Sequence, residues 1–362
     1  MTNVLLAQEP ASYAMAHELL QEDHNVFFSP YSTEIVLSMA MTGAQGTTKD
    51  EFIRLLQKPI LPQTKTTSFS SYQAIAIDHA FVPKSAFIAN LQKNFQANLF
   101  SVDFQKQKEW SLQTINTWIE KKTDGLIPKL LESQDIQDQT RLILLNAALF
   151  KKAWLNRFRP DLTKQAPFTC CDGSKTSIPY MYAKEFFSYG RNELASFIEL
   201  PFQKDEDDSH YSCIIIVPHD VNARVTLEKK LSSDMLNTMR QEMKNEFVEL
   251  YLPKCTIDYR KDLRNVLENL GLKTAFTKAA DFSGISSQEE LSLDKVIHQA
   301  KLELDENGLT AAAATAAEFI AKAIFEPKQP IVLRCDRPFL LFIVDSNNTP
   351  LFIGKVCKPS GL

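Results

Sequence analysis

The stretch that most narrows the choice of fold is Arg141–Phe150, RLILLNAALF, where every position after Arg141 is apolar except Asn146. An apolar run of this length without alternation is expected of a strand buried on both faces. Cys213–Val217 (CIIIV) reads the same way, and Phe247–Leu252 (FVELYL) reads as a strand with more polar alternation. Near the end of the chain Ile331–Arg334, Phe339–Asp345 and Leu351–Val356 follow. The last two are joined by Ser346-Asn347-Asn348-Thr349-Pro350, good hairpin-turn chemistry. Helical signals dominate the first third. Ser29 is placed to cap a helix that opens on Pro30 and runs through Ile35, Leu37, Met39 and Met41 to Gly43. A second helix is expected over Trp110–Lys122, with Ile115, Trp118 and Ile119 on one face. Helices first and strands later predict an α+β fold with large, mixed and antiparallel β-sheets. With 362 residues, 44% of them hydrophobic, and no internal repeat or long linker, residues 1–362 are expected to form a single domain.

Several function classes are excluded or unsupported. A net charge of −4 and a pI near 5.9 leave no basic footprint for nucleic acid. No stretch approaches the roughly 18 uninterrupted apolar residues of a membrane span. The start, MTNVLLAQEPASYAMAHELL, does not read as a signal peptide, so a cytoplasmic protein is expected, or a secreted one if the chain is a trimmed form. The six cysteines (Cys170, Cys171, Cys213, Cys255, Cys335, Cys357) show no CxxC spacing and read as buried thiols in a reducing compartment. The six histidines are scattered, and there is no GxSxG, HExxH, Walker or GxGxxG motif. Asp205-Glu206-Asp207-Asp208 reads as a solvated loop. Neither a metal nor a cofactor is expected, and an enzyme has no positive support.

The unusual segment is Asp305–Ala323, DENGLTAAAATAAEFIAKA. Taken alone, its alanines favour an ordinary helix. Parity allows another state. In an extended strand Leu309, Ala311, Ala313, Thr315, Ala317 and Phe319 share an uncharged face fit for a core, while Thr310, Ala312, Ala314, Ala316, Glu318 and Ile320 share the other. Small side chains throughout would let such a strand slide between existing strands.

Glu306-Asn307-Gly308-Leu309-Thr310 followed by AAAAT resembles the hinge of the serpins, which leads there into a reactive-centre loop. Further motifs match in order along the chain. Asn25–Ser32 (NVFFSPYS), Gly43–Thr48 (GAQGTT) and Leu144–Trp154 (LLNAALFKKAW) come first. Leu252-Pro253-Lys254, Leu270-Gly271-Leu272 and Ala280–Gly284 (ADFSG) follow, then Asp336–Leu340 (DRPFL) and Leu351–Lys355 (LFIGK). The resemblance implies a serpin-like fold with about eight or nine helices and an exposed loop over residues 306–330. It also implies an inhibitor that acts as a suicide substrate on a serine protease.

Residue by residue, the resemblance implies a hinge of Glu306, Gly308, Leu309, Thr310, Ala311, Ala312, Ala313, Ala314 and Thr315. The cut bond falls fourteen residues beyond Gly308, at Lys322–Ala323. A lysine there fits a trypsin-like protease; cleavage beside Ala321 or Ala323 would instead suit an elastase-like one. The acyl-enzyme is then trapped as the freed loop inserts as a strand, dragging the protease by roughly 50 Å at ~3.3 Å per residue. Ser29, Ser32, Asn146 and His298 correspond to a buried polar group beneath the sheet centre, the shutter. Trp154, Lys254 and Glu306 correspond to the breach, where insertion begins. A monomer is expected, with polymerisation through the loop a hazard of a sheet that accepts strands. A non-inhibitory serpin and a cysteine-protease inhibitor are the alternatives. Leu309 stands where Thr or Ser is usual, Thr310 replaces an acidic residue and Lys152 a glycine. The segment Pro62–Ala74 is too short to carry over polysaccharide activation.

Overall fold

The computed structural model describes residues 10–62, 68–204, 209–288, 290–309 and 329–359. Eight α-helices occur among them: α1 (Ala11–Leu20), α2 (Pro30–Gly43), α3 (Gly46–Leu56), α4 (Ser85–Asn90), α5 (Lys108–Lys122), α6 (Val221–Lys230), α7 (Ser233–Glu242) and α8 (Arg264–Asn269). The strands of the first half are β1 (Val26–Phe28), β2 (Phe69–Asp78), β3 (Asn98–Val102), β4 (Leu142–Phe150), β5 (Lys152–Ala153), β6 (Lys164–Thr169), β7 (Lys175–Arg191) and β8 (Ala195–Pro201). Those of the second half are β9 (Tyr211–Pro218), β10 (Lys244–Pro253), β11 (Cys255–Asp262), β12 (Lys295–Leu304), β13 (Gly308–Leu309), β14 (Ile331–Arg334), β15 (Phe339–Asp345) and β16 (Pro350–Val356).

Two sheets result. A nine-stranded sheet runs β1-β16-β15-β9-β8-β7-β10-β14, with β6 on β7. A seven-stranded sheet runs β3-β2-β4-β12-β13-β5, with β11 on β12. Strand β4 is buried at all nine positions because the sheet is covered on both sides. Ile143, Leu145, Ala147 and Leu149 pack toward Leu112, Ile115 and Ile119 of α5. Leu144, Ala148 and Phe150 belong to the larger core with Ile35 and Met39 of α2. Helix α2 is buried nearly all round, as an apolar helix between layers must be. Its N-terminus is fixed by the Ser29 hydroxyl, which accepts the Ser32 N–H at 3.2 Å, with Pro30 in the first turn.

The pairing of β4 with β12 positions everything that follows. These strands are parallel, in register from Ile143–Lys295 to Leu149–Lys301, with His298 beside Asn146. Their outer neighbours, β2 on β4 and β11 on β12, are antiparallel. Above Lys301 the two strands part, and the two residues of β13 lie between β12 and β5, the short strand that follows β4. Leu309 pairs with Leu304 on one side and with Lys152 of β5 on the other.

The structure departs from the sequence reading in two respects. The helix-rich first third also supplies β1, β2 and β3, held by pairing with β16, β4 and β2 respectively rather than by strong local patterning. The cysteines are not all thiols: Cys171 and Cys357, 186 residues apart, form a disulfide, while Cys170, Cys213, Cys255 and Cys335 are free and buried. The turn between β6 and β7 comes against the end of β16, where the Cys171 N–H donates to Cys357 O at 3.1 Å. The cysteines therefore carry no argument for a reducing compartment. Among the described residues no helix is long and apolar enough to cross a membrane.

Candidate functional site

The site is the seam between β4 and β12, with one polar cluster beneath its middle and another around its top. Ser29, Ser32, Asn146 and His298 meet beneath the middle, each fully buried. Period-two alternation turns Asn146 to the α2 face of β4. Its amide donates to Ser32 O at 3.1 Å and to the Ser32 hydroxyl. His298 Nε2 accepts the Ser29 N–H at 3.2 Å. That leaves Nδ1 to carry the proton and donate to Asn146 Oδ1 at 2.5 Å. Burial pushes the imidazole down to about 3, so it is neutral at physiological pH. The cluster thus bridges β4, β12 and α2 with every polar group paired, as burial demands. Sequence reasoning missed Ser71 and Gln73 of β2. Ser71 bonds the Ser32 hydroxyl at 2.6 Å, and Gln73 donates to Ser71. Nothing local marks them; the β2–β4 register brings Gln73 opposite Asn146.

At the top, Trp154, Lys254 and Glu306 come together around the hinge. The Glu306 side chain accepts from Lys254 Nζ at 2.9 Å and from the Thr163 hydroxyl at 2.8 Å. Burial alone would raise its carboxyl; the bonds from Lys254 and Thr163 outweigh this and hold it below the ordinary glutamate value. Trp154 Nε1 donates to Asp305 O at 2.9 Å, and its ring stacks on Phe202 at 4.7 Å. The backbone of the same segment is tied down: Trp154 N–H to Asn307 O at 2.9 Å and Phe158 N–H to Glu306 O at 3.0 Å. Thr163 and Phe202 were not legible in the sequence, since each acts through a partner remote in the chain.

The described part of the hinge is short and tightly specified. Asp305 Oδ1 accepts the N–H groups of Asn307 at 2.7 Å and Gly308 at 3.1 Å, which turns the chain back from β12. Gly308 sits at φ +152°, where a Cβ would lie 2.1 Å from Lys152 O, so only glycine fits. Leu309 is 1% exposed and belongs to the core, on the inward side of the wedge. Thr310, Ala311, Ala312, Ala313, Ala314, Thr315, Lys322 and Ala323 lie outside the described residues, as does Asp205–Asp208. Among the described residues no group of His, Cys, Asp and Glu is arranged to hold a metal.

The site is thus a closed central seam with a chain segment wedged into one end. The chain belongs to the serpin family: the model of that family, serine protease inhibitor, matches residues 7–359. It is 31% identical to neuroserpin of Gallus gallus, over 94% of this chain and 88% of that protein. It is 30% identical to the leukocyte elastase inhibitor of Sus scrofa, over 92% and 93%. The structure of Arabidopsis AtSerpin1 in its native stressed conformation superposes with a TM-score of 0.84 at 25% identity, covering 96% of each chain.

Proposed function

We propose that the protein inhibits a trypsin-like serine protease by presenting the bond Lys322–Ala323. The protease is then trapped as an acyl-enzyme when the cut loop enters the β4–β12 seam. The observation that carries this reading is the wedge itself. Leu309 already keeps antiparallel register with Leu304 and Lys152. Continuing that register, residue by residue, brings Thr315 between His298 and Asn146, which already face each other. It also puts the alternate residues Ala311, Ala313, Thr315, Ala317 and Phe319 on the side where Leu309 is buried. Insertion replaces one parallel ladder with two antiparallel ones, so each inserted residue adds hydrogen bonds worth about 0.5–1.5 kcal/mol net. The shutter and breach roles of Ser29, Ser32, Asn146, His298, Trp154, Lys254 and Glu306 are part of the same proposal. Their bonds hold the sheet closed and must rearrange as the strand passes.

The test is to mix the protein with trypsin and run a denaturing gel. A stable complex larger than either protein is expected, and Lys322→Glu abolishes it. Cleavage without a complex overturns inhibition; an undiminished complex with Lys322→Glu overturns the site. The small residues beside Lys322 and the relative named leukocyte elastase inhibitor make an elastase the control protease. Mass spectrometry of the released C-terminal fragment identifies the cut bond.

A further inference from the structure

The seam is closed by different means at its two ends. At the top, β13 is wedged between β12 and β5. At the foot, one residue below the first ladder pair Lys295–Ile143, a side chain spans the gap. Asp294 Oδ2 accepts the N–H of Arg141 at 2.6 Å and the N–H of Leu142 at 3.1 Å. The Asp294 N–H returns a bond to Leu142 O at 2.8 Å. One residue of the β12 side therefore satisfies two successive backbone donors on the β4 side, through hydrogen bonds to a carboxylate, which are stronger than neutral ones. Arg264 supports the clasp from α8, its guanidinium donating to Asp294 O at 3.4 Å. The site opens onto a polar cleft lined by Arg141, Asp262, Arg264, Lys278 and Lys295, so a released Asp294 meets water and cations rather than apolar core.

We propose that Asp294 is a positioning residue for strand insertion, a clasp across the foot of the seam that sets how far the inserting segment runs before β4 and β12 separate along their whole length. This rests on the insertion reading above. The register carried down from Leu309 sets residue 318 beside Lys295 and Ile143, the last ladder pair. Residue 319 then falls level with Asp294 and Leu142, and the remaining residues up to Lys322 enter only once the clasp is broken. The clasp belongs to the closed seam alone. It stabilises the uncleaved form and contributes nothing after full insertion, unlike an ordinary core contact, which stabilises both.

The experiment compares wild type, Asp294→Ala and Asp294→Asn in two states: uncleaved, and cut in the loop by a protease that is not trapped. Thermal midpoints are measured for each. Asp294→Ala is expected to lower the uncleaved midpoint by a few degrees and leave the cleaved midpoint unchanged. It also speeds loss of inhibitory activity on warming by roughly tenfold, the effect on the barrier to opening of two backbone donors left without their acceptor. Asp294→Asn keeps a neutral oxygen acceptor of the same shape and is expected to lose less than Asp294→Ala in the uncleaved state and nothing in the cleaved one. Equal losses in the two states, or none in the uncleaved one, overturn the clasp while leaving insertion intact. A wild-type chain whose midpoint does not rise on cleavage overturns the insertion reading, and the clasp with it.

Discussion

Strands β2 and β3, like β10 and β14, pair in parallel at the margins of their sheets, whereas β4 and β12 pair in parallel in the middle of theirs. The pleat and the hydrogen-bonding groups are the same in all three places; the neighbours differ. Separating a marginal pair would leave a new bare edge and nothing to fill it. Separating β4 from β12 leaves two facing edges, each backed by an antiparallel partner, into which an antiparallel strand fits with both of its own edges satisfied. No hairpin ties β4 to β12, which are some 150 residues apart, so the insertion proposed above strains no short connection. A parallel pair is thus a stable end to a sheet at the margin and a latent opening at the centre.

The contrast is most severely tested at Leu309. Leu309→Arg would place a charge at a position only 1% exposed between the two facing edges. An unpaired buried charge costs several kcal/mol, so trapping is expected to give way to turnover. The ratio of inhibitor consumed per protease blocked should rise by about tenfold or more, read by titration of residual protease activity. An unchanged ratio would mean that the centre is not entered from this end.

Gly308→Ala comes next. The added Cβ meets Lys152 O at 2.1 Å in a backbone conformation that L side chains rarely adopt. A loss of about 1–3 kcal/mol in the uncleaved form is expected, read by thermal or denaturant unfolding. Gly173, in the β6–β7 turn of the other sheet, supplies the control. It also has positive φ, but nothing lies within 4 Å of its Cβ position. Gly173→Ala should cost only the backbone share, roughly 1–2 kcal/mol. Equal costs would remove the special tightness assigned to the central wedge.

The smallest effect concerns Glu306. Its folded value lies below the ordinary 4.5, so the stability it contributes is present above that pH. It is lost as pH falls through the lowered folded value. Lys254→Met should remove about 1 kcal/mol near neutral pH and flatten this acid limb, since the pair is only partly screened by solvent. Acid unfolding curves of the two proteins that remain parallel below pH 4.5 would take Glu306 out of the hinge's control.

Much of the frame was legible because burial on both faces leaves a local trace. Phe339–Asp345 appears in the structure with the bounds read from the sequence, and Arg141–Phe150 loses only its first residue; Ile331–Arg334 also keeps its bounds, although it is an edge strand with Val332 and Arg334 exposed. The long strand β7, with its mixed exposure pattern, and β12 left no such trace. At the site, motifs pointed to Asn146, His298, Trp154, Lys254 and Glu306, but not to Ser71, Thr163 or Phe202. Each of these is an ordinary residue until the fold sets it against its partner.

By itself, then, the sequence determined some of the core strands, among them Arg141–Phe150, Cys213–Val217 and Phe339–Asp345, and which family's motifs run through the chain. Those follow from periodicity, composition and short spacings, which depend on neighbours within a turn or a strand. Only the tertiary structure decided that Cys171 meets Cys357, that β4 meets β12 in parallel, that Leu309 is already seated between β12 and β5, and that Asp294 closes the foot. Each of these joins residues whose proximity is set by packing of the whole core, and no local pattern encodes which of many possible partners the closed chain brings within 3 Å.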